Sequence, residues 1–514
     1  MVEKKDEMRP PLDMEGPPPP PKGIRKVPSA KMPEGGVIEA DVVIIGGGGA
    51  GIPAAVSAFE NGAKSVVMLE KRERAGGNAI MARGIFGCES SVLRNAMVYS
   101  DKDEIFTNAM KWHHYSRVNG KLLRAYINQS GDTIEWLIKR GVGFFVDTTT
   151  RMNYHQDPTW HCVKNGNMAL AMGKLFTEAL ELGLQFYADT IVTEIIIENG
   201  AVAGVKAVHQ GQDLTVKAKA VIVSTGGFLA NEEKVKQYFP YYSKDRFGGF
   251  QAPNMGEGIA LAQKAGAALE RECTLVREAC AASDKAPRIL SEFTREPYLL
   301  WVNKKGRRFV DETAGAELQI CTNALMMQPD MRAYAIFDEG TLHYMMDKGF
   351  ELSKGDDVRG CAIPTLKGKL EEIEKKAPES LKIADTLEEI AQWIGCLPED
   401  LSDELAKYNS YAQSGYDKDF NKPRRYLAPC HKGPFYAIMH MAIAVDTVGP
   451  VRIDHETRVL DDNYNPIPGL YGAGVITAGW QSNDYCGQYL FGSALSYSIN
   501  SGRIAGRNAA GGLA

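Results

Sequence analysis

Gly46, Gly48 and Gly51 stand at G-x-G-x-x-G spacing in the stretch DVVIIGGGGAGIP, residues 41–53. That spacing suits the diphosphate of a dinucleotide. Glycines allow a sharp turn, backbone N–H groups come close to the phosphates, and the following helix presents its N-terminus to their charge. Gly49 and Ala50 complete the turn. Glu70, with Lys71 beside it, follows where an acid would accept hydrogen bonds from ribose hydroxyls. A second glycine-rich segment, Gly76-Gly77-Asn78-Ala79 through Gly84-Ile85, is placed to pass the diphosphate and reach the far end of the same ligand.

These residues need a strand, a helix and a second strand to hold them. Residues 42–45 (VVII) have the β-branched, apolar composition of a buried parallel strand. Residues 54–61 continue as a helix that Gly62 ends, and residues 65–69 form the next strand. This context separates the motif from a glycine-rich turn in some other α/β protein. Residues 42–59 carry no charge, but four consecutive glycines and Pro53 would make a poor membrane span, which is rejected. Further on, residues 101–184 read as helical, with Ile127, Ile134, Trp136 and Leu137 on one apolar face. Residues 190–219 read as β-rich, with Asn199-Gly200 as a hairpin turn. Residues 221–223 form another buried strand that runs into Ser224-Thr225-Gly226-Gly227.

The chain of 514 residues has room for two or three domains, and its net charge of −5 offers nothing to nucleic acid or to an anionic membrane. Its 9 cysteines contain no C-x-x-C pair, so iron–sulfur, c-type haem and zinc readings lack ligands. The unpatterned cysteines and the charged, proline-rich start, without an apolar leader, point to a reducing, cytoplasmic setting. The proline run at 17–21 reads as polyproline II in a solvated or surface-draped arm; a partner-docking role is the alternative.

From Asp41 to Asn508 the chain resembles the flavoprotein family of fumarate reductases and 3-ketosteroid dehydrogenases, which follows its ribose acid with a Gly-Gly-Asn segment of this kind. The segment Asn303-Lys304-Lys305-Gly306-Arg307-Arg308-Phe309-Val310-Asp311-Glu312 resembles the family's Arg-Phe-Val-Asn-Glu region, and Asn254-Met255-Gly256-Glu257-Gly258 its Gly-Asp-Gly turn. The resemblance implies an α/β fold: a Rossmann-like FAD-binding domain with an inserted α+β substrate, or capping, domain. The divisions are a tail over 1–36, FAD-binding parts over 37–230 and 441–514, and the substrate domain over 231–440. It also implies FAD contacts at Val192, Thr225, Gly226, Glu257, Gly474, Ser493, Ala494 and Leu495, with the last helix aimed at the flavin's pyrimidine edge. Positions 78–90 contain no histidine for covalent attachment, so FAD is expected to be non-covalent.

The chain departs from both branches of the family. Ala316 stands where one branch has a catalytic arginine and the other a tyrosine. The dicarboxylate-binding positions fall on Glu278, Val445, Asp446 and Tyr489, which argues against fumarate. Tyr485-Cys486-Gly487 resembles the ketosteroid Tyr-x-Gly segment, whose phenol and glycine N–H polarise a 3-keto oxygen in the manner of an oxyanion hole. The competing role for Tyr485 and Tyr489 is packing on the flavin. Acid or base candidates are Tyr489, Glu278 with Arg277, and Tyr115 beside His113-His114, where surface or helix-end positions account for the histidines. Trp480 is a pocket wall or simply core.

Three functions follow. The first is FAD-dependent transfer of hydride between flavin and a C–C bond next to a carbonyl, on an apolar 3-ketosteroid-like enone, in either direction. The second makes the substrate an unsaturated monocarboxylate such as an arylacrylate, anchored by Arg277. The third is a non-catalytic FAD-loaded electron-transfer subunit. A single G-x-G-x-x-G leaves electrons to a separate carrier.

Overall fold

The computed structural model describes residues 24–146, 159–164, 166–244, 247–248, 254–281, 287, 289–316, 318–352, 360–486 and 489–512. The proline run and Gly487 lie outside the described residues, as does the Glu278 side chain.

Valine- and isoleucine-rich runs build the first sheet. Val37–Ile45 lies between Gln212–Val223 and Val66–Leu69, parallel to both. Gln185–Tyr187 and Pro466–Gly472 extend the parallel array on its two sides. The run 42–45 is fully paired and buried, as its composition requires. Strands Val37–Ile45, Val66–Leu69, Gln212–Val223 and Pro466–Gly472 all end at one edge of the sheet, and in open α/β sheets that edge is where ligands bind. Two helices cover one face: Gly51–Glu60 and the last helix, Ser493–Gly511. They touch backbone to backbone, since a Cβ on Gly502 would lie 2.2 Å from the Ala50 carbonyl oxygen and one on Gly506 2.2 Å from that of Ala54.

Residues 24–36 run over the sheet's outer strand. Ile24 N–H donates to the Ala75 carbonyl (3.1 Å) and Ala30 N–H to that of Phe186 (2.8 Å), so part of this arm is draped on the surface and shields an edge strand. The expected hairpin forms between Thr190–Glu198 and Ala201–His209. Its turn residues Asn199 and Gly200 take φ of 51° and 79°. A Cβ on Gly200 would meet no atom within 4 Å, so only the backbone conformation opposes substitution. Gly200→Val should therefore cost about 1–2 kcal/mol in urea unfolding and leave flavin content unchanged.

Residues 101–184 are not helical throughout. Between helices Gly120–Ile138 and Met168–Glu181 lie two short strands, Phe144–Val146 and Trp160–Val163, which join Gly84–Phe86 in a three-stranded antiparallel sheet. Trp160–Val163 is the central strand: it pairs with Gly84–Phe86 on one side, holding the second glycine segment against the cavity, and with Phe144–Val146 on the other.

The second sheet is organised on Phe435–Val448. One half of this strand pairs with Arg332–Asp338 and Leu381–Ala384, the other with Thr274–Ala281 and Phe247–Gly248. The boundary expected at His440 falls inside it. The strand's far end reaches the first sheet, where Thr447 Oγ1 accepts the N–H of Phe228 (2.9 Å). In the 303–312 segment, Arg308 bonds Glu312 (2.8 Å) and Asp417 (2.8 Å), and Lys422 bonds Glu312 (3.0 Å), all fully buried. Each of these charges is compensated, so the turn after Leu300–Asn303 is pinned to residues 417–422.

Candidate active site

A cavity of about 410 Å³ opens at the carboxyl ends of the parallel strands. It is lined from the first sheet's side by Gly46, Gly48, Gly49 and Ala50, by Glu70 and Lys71, and by Gly77, Asn78, Ala79 and Gly84. Val192, Thr225, Gly226, Glu257, Gly474, Ala494 and Leu495 complete that wall. The second sheet contributes Val276, Arg277, Val445 and Asp446, and Tyr485 comes from the loop before the last helix.

Four of the expected cofactor residues are not among the described lining residues. Gly51 sits behind the turn, where a Cβ would lie 2.0 Å from the Gly46 carbonyl oxygen. Gly76, at φ +119°, donates its N–H to the Gly47 carbonyl (2.7 Å) and bends the chain. Ile85 is buried in a strand, and Ser493 is buried in the first turn of the last helix.

The cradle fits a dinucleotide. A Cβ on Gly48 would project into open space, and one on Gly77 would meet only Gly48 Cα, at 3.3 Å. Among the buried polar atoms on lining residues, Thr225 Oγ1 and Trp160 Nε1 have no hydrogen-bond partner among the described residues, as donors awaiting a ligand would. Glu70 accepts the N–H groups of Gly47 (2.8 Å) and Arg72 (2.9 Å), and burial raises its pKa above the usual carboxyl value. Lys71 pairs with Glu257 (2.7 Å), tying the second strand to helix Glu257–Lys264.

Residues 41–488 match the family described as FAD binding domain. The chain belongs to this FAD-binding family. Its relatives include vinyl phenol reductase of Lactiplantibacillus plantarum, 28% identical over 91% of this chain and 96% of that protein. They include fumarate reductase (cytochrome) of Shewanella frigidimarina, 31% identical over 91% of this chain and 77% of that protein. The structure of 3-ketosteroid-Δ4-(5α)-dehydrogenase from Rhodococcus jostii, in complex with 4-androstene-3,17-dione, has the same fold, with a TM-score of 0.70 at 22% identity over 92% of this chain and 97% of that one. As a member of this FAD-binding family, the chain is an FAD-dependent oxidoreductase acting on CH–CH groups of unsaturated substrates. FAD bound along the glycine wall would supply the electron pair, and the chain's own residues must orient the substrate and handle its protons.

Tyr485 is buried, and its Oη accepts the Ala494 N–H at 2.8 Å. Gly492, with φ +80°, precedes the last helix and offers no side chain to cap it, so the phenol takes one of the helix's orphan N–H groups. Tyr489 does not join it among the described lining residues. It packs edge-on against Trp112, with ring centroids 6.1 Å apart. Ala316 is likewise not among the described lining residues.

Arg277, 5% exposed, pairs through Nη2 with Asp484 (2.6 Å), while its buried Nε has no hydrogen-bond partner among the described residues. Tyr115 is exposed. His113 sits at the C-terminal end of helix Lys102–Trp112, as expected, but buried; its Nδ1 bonds Ser482 Oγ (2.8 Å), and burial lowers its pKa to about 4, so it stays neutral at pH 7. Trp480 is core, stacked on Tyr497 with ring centroids 4.1 Å apart. Sequence reasoning missed the wall formed by Arg83, Trp160 and Phe491, in which Trp160 packs edge-on to Phe491 at 4.6 Å and Arg83 lies over Trp160 at 5.3 Å. It also gave no role to Asp446 beyond the loss of a histidine.

Proposed function

We propose that the chain reduces a double bond conjugated to a carbonyl on a bulky apolar molecule, with a 3-ketosteroid-like enone as the favoured class. The observation that carries this is the Tyr485 phenol, held by the Ala494 N–H on the cavity wall. A phenol that accepts from a helix N-terminus is a better donor of its own hydrogen, and an enolate oxygen developing during reduction is what such a donor stabilises. The charge balance supports a neutral substrate. Arg277 already has a carboxylate partner in Asp484, so a dicarboxylate would have to compete with that acid for it. The name of the vinyl phenol reductase relative also describes an apolar alkene whose conjugation ends in an oxygen. Electrons come from a separate carrier, and FAD is held non-covalently.

One observation favours a second reading. The unpartnered Nε of Arg277 could receive the carboxylate of an arylacrylate. A reduced viologen-type dye, with the purified yellow protein and a 3-keto-enone steroid, an arylacrylate or fumarate, separates the two. The favoured reading expects steroid turnover that Arg277→Ala changes less than about threefold, since that side chain would not touch the carbonyl. Turnover of arylacrylate alone, lost in Arg277→Ala and kept in Tyr485→Phe, selects the second. Turnover of fumarate alone overturns both.

A further inference from the structure

We propose that Asp446 is the acid that takes up a proton when the flavin is reduced and gives it back when the double bond is saturated. The proposal rests on FAD occupying the glycine-lined cavity. Asp446 stands near the end of Phe435–Val448, the strand that brings the second sheet to the first, and it lines the cavity. Its carboxylate accepts from the Asn78 amide (3.1 Å) and from the Thr447 N–H (2.9 Å). Asn78 belongs to the second glycine segment, so the carboxylate lies against the wall along which the cofactor runs.

Charged side chains reach this cavity from each surrounding element: Glu70, Lys71 and Arg72 after the second strand, Arg83 before Gly84, Glu257 at the start of its helix, and Arg277 on Thr274–Ala281. Lys71 is held by Glu257 and Arg277 by Asp484, and the groups acting on Asp446 are the neutral donors Asn78 and Thr447. Burial pushes its carboxyl up to about 6. A reduced flavin brings negative charge into the same cavity, and a like charge nearby raises a carboxyl further, so reduction draws a proton onto Asp446. The balance is complete. Two electrons from the external carrier enter with two protons, one to the flavin and one to Asp446. The electron pair and both protons leave when the C=C bond becomes CH–CH, and the flavin and the carboxylate return to their starting forms.

The test is the flavin midpoint potential of the purified holoprotein as a function of pH, for wild type and Asp446→Asn. One extra proton per electron pair is a tenfold change in equilibrium constant per pH unit, or about 30 mV. The wild-type potential should fall more steeply than that of the variant by this amount, from about pH 6 upward. Below that pH both redox states hold the proton, and the slopes should coincide. Equal slopes at all pH values, with flavin retained, overturn the proposal. Should Asp446→Asn fail to hold flavin, the reduced-minus-oxidised infrared spectrum of the wild type decides: a protonated-carboxyl band gained on reduction supports the assignment, and its absence overturns it. A wild-type protein that holds no flavin overturns the placement of FAD, a separate failure.

Discussion

Gly51→Ala should give a folded but colourless protein. The added Cβ would stand 2.0 Å from the Gly46 carbonyl oxygen, a backbone atom that cannot swing aside as a side-chain tip could. The same Cβ would come within 2.9 Å of Ser224 Oγ, which donates to the Ile45 and Gly46 carbonyls and ties two strand ends together. The turn from Gly46 to Gly51 must then open, and the N–H groups that would meet the diphosphate lose their convergence. The core of the first sheet does not depend on that convergence, so secondary structure should persist with a lowered melting temperature. Visible absorbance and the FAD released on denaturation measure the outcome. A variant that keeps wild-type flavin content would show that the diphosphate does not use this turn.

Tyr485→Phe should lower kcat/KM for an enone by about 10²–10³-fold, the usual effect of removing one donor aimed at a developing oxyanion. The phenyl ring still fills the space, so FAD content should not change. The Ala494 N–H loses its acceptor, which costs about 0.5–1.5 kcal/mol of stability. A structural role alone predicts that small loss with kcat/KM unchanged. The two roles are therefore distinguished by the ratio of the activity loss to the shift in melting temperature.

The parts of this protein that local chemistry dictates were legible in its sequence. The turn at Gly46–Gly51 and the hairpin at Asn199-Gly200 require particular backbone conformations, and few residue types supply them. The strand at 42–45 is buried on both faces, and its composition says so. What lay beyond the sequence depends on contacts between distant segments. The strands Phe144–Val146 and Trp160–Val163 are too short to show a period, and they exist because the second pairs with Gly84–Phe86 and the first pairs with the second. Tyr485 and Tyr489 are alike as residue types, yet one caps the last helix and the other meets Trp112, partners that lie far apart in the chain. Asp446 was legible only as a lost histidine, because its place in the cavity is decided by where the long strand ends.

The decisive measurement is the anaerobic mixing of reduced, flavin-loaded protein with a 3-keto-enone steroid. Oxidised yellow flavin should reappear with one equivalent of saturated product, at a rate about 10²–10³-fold slower in Tyr485→Phe. A purified protein without flavin, or reduced flavin that reoxidises with fumarate but with no enone, would contradict it.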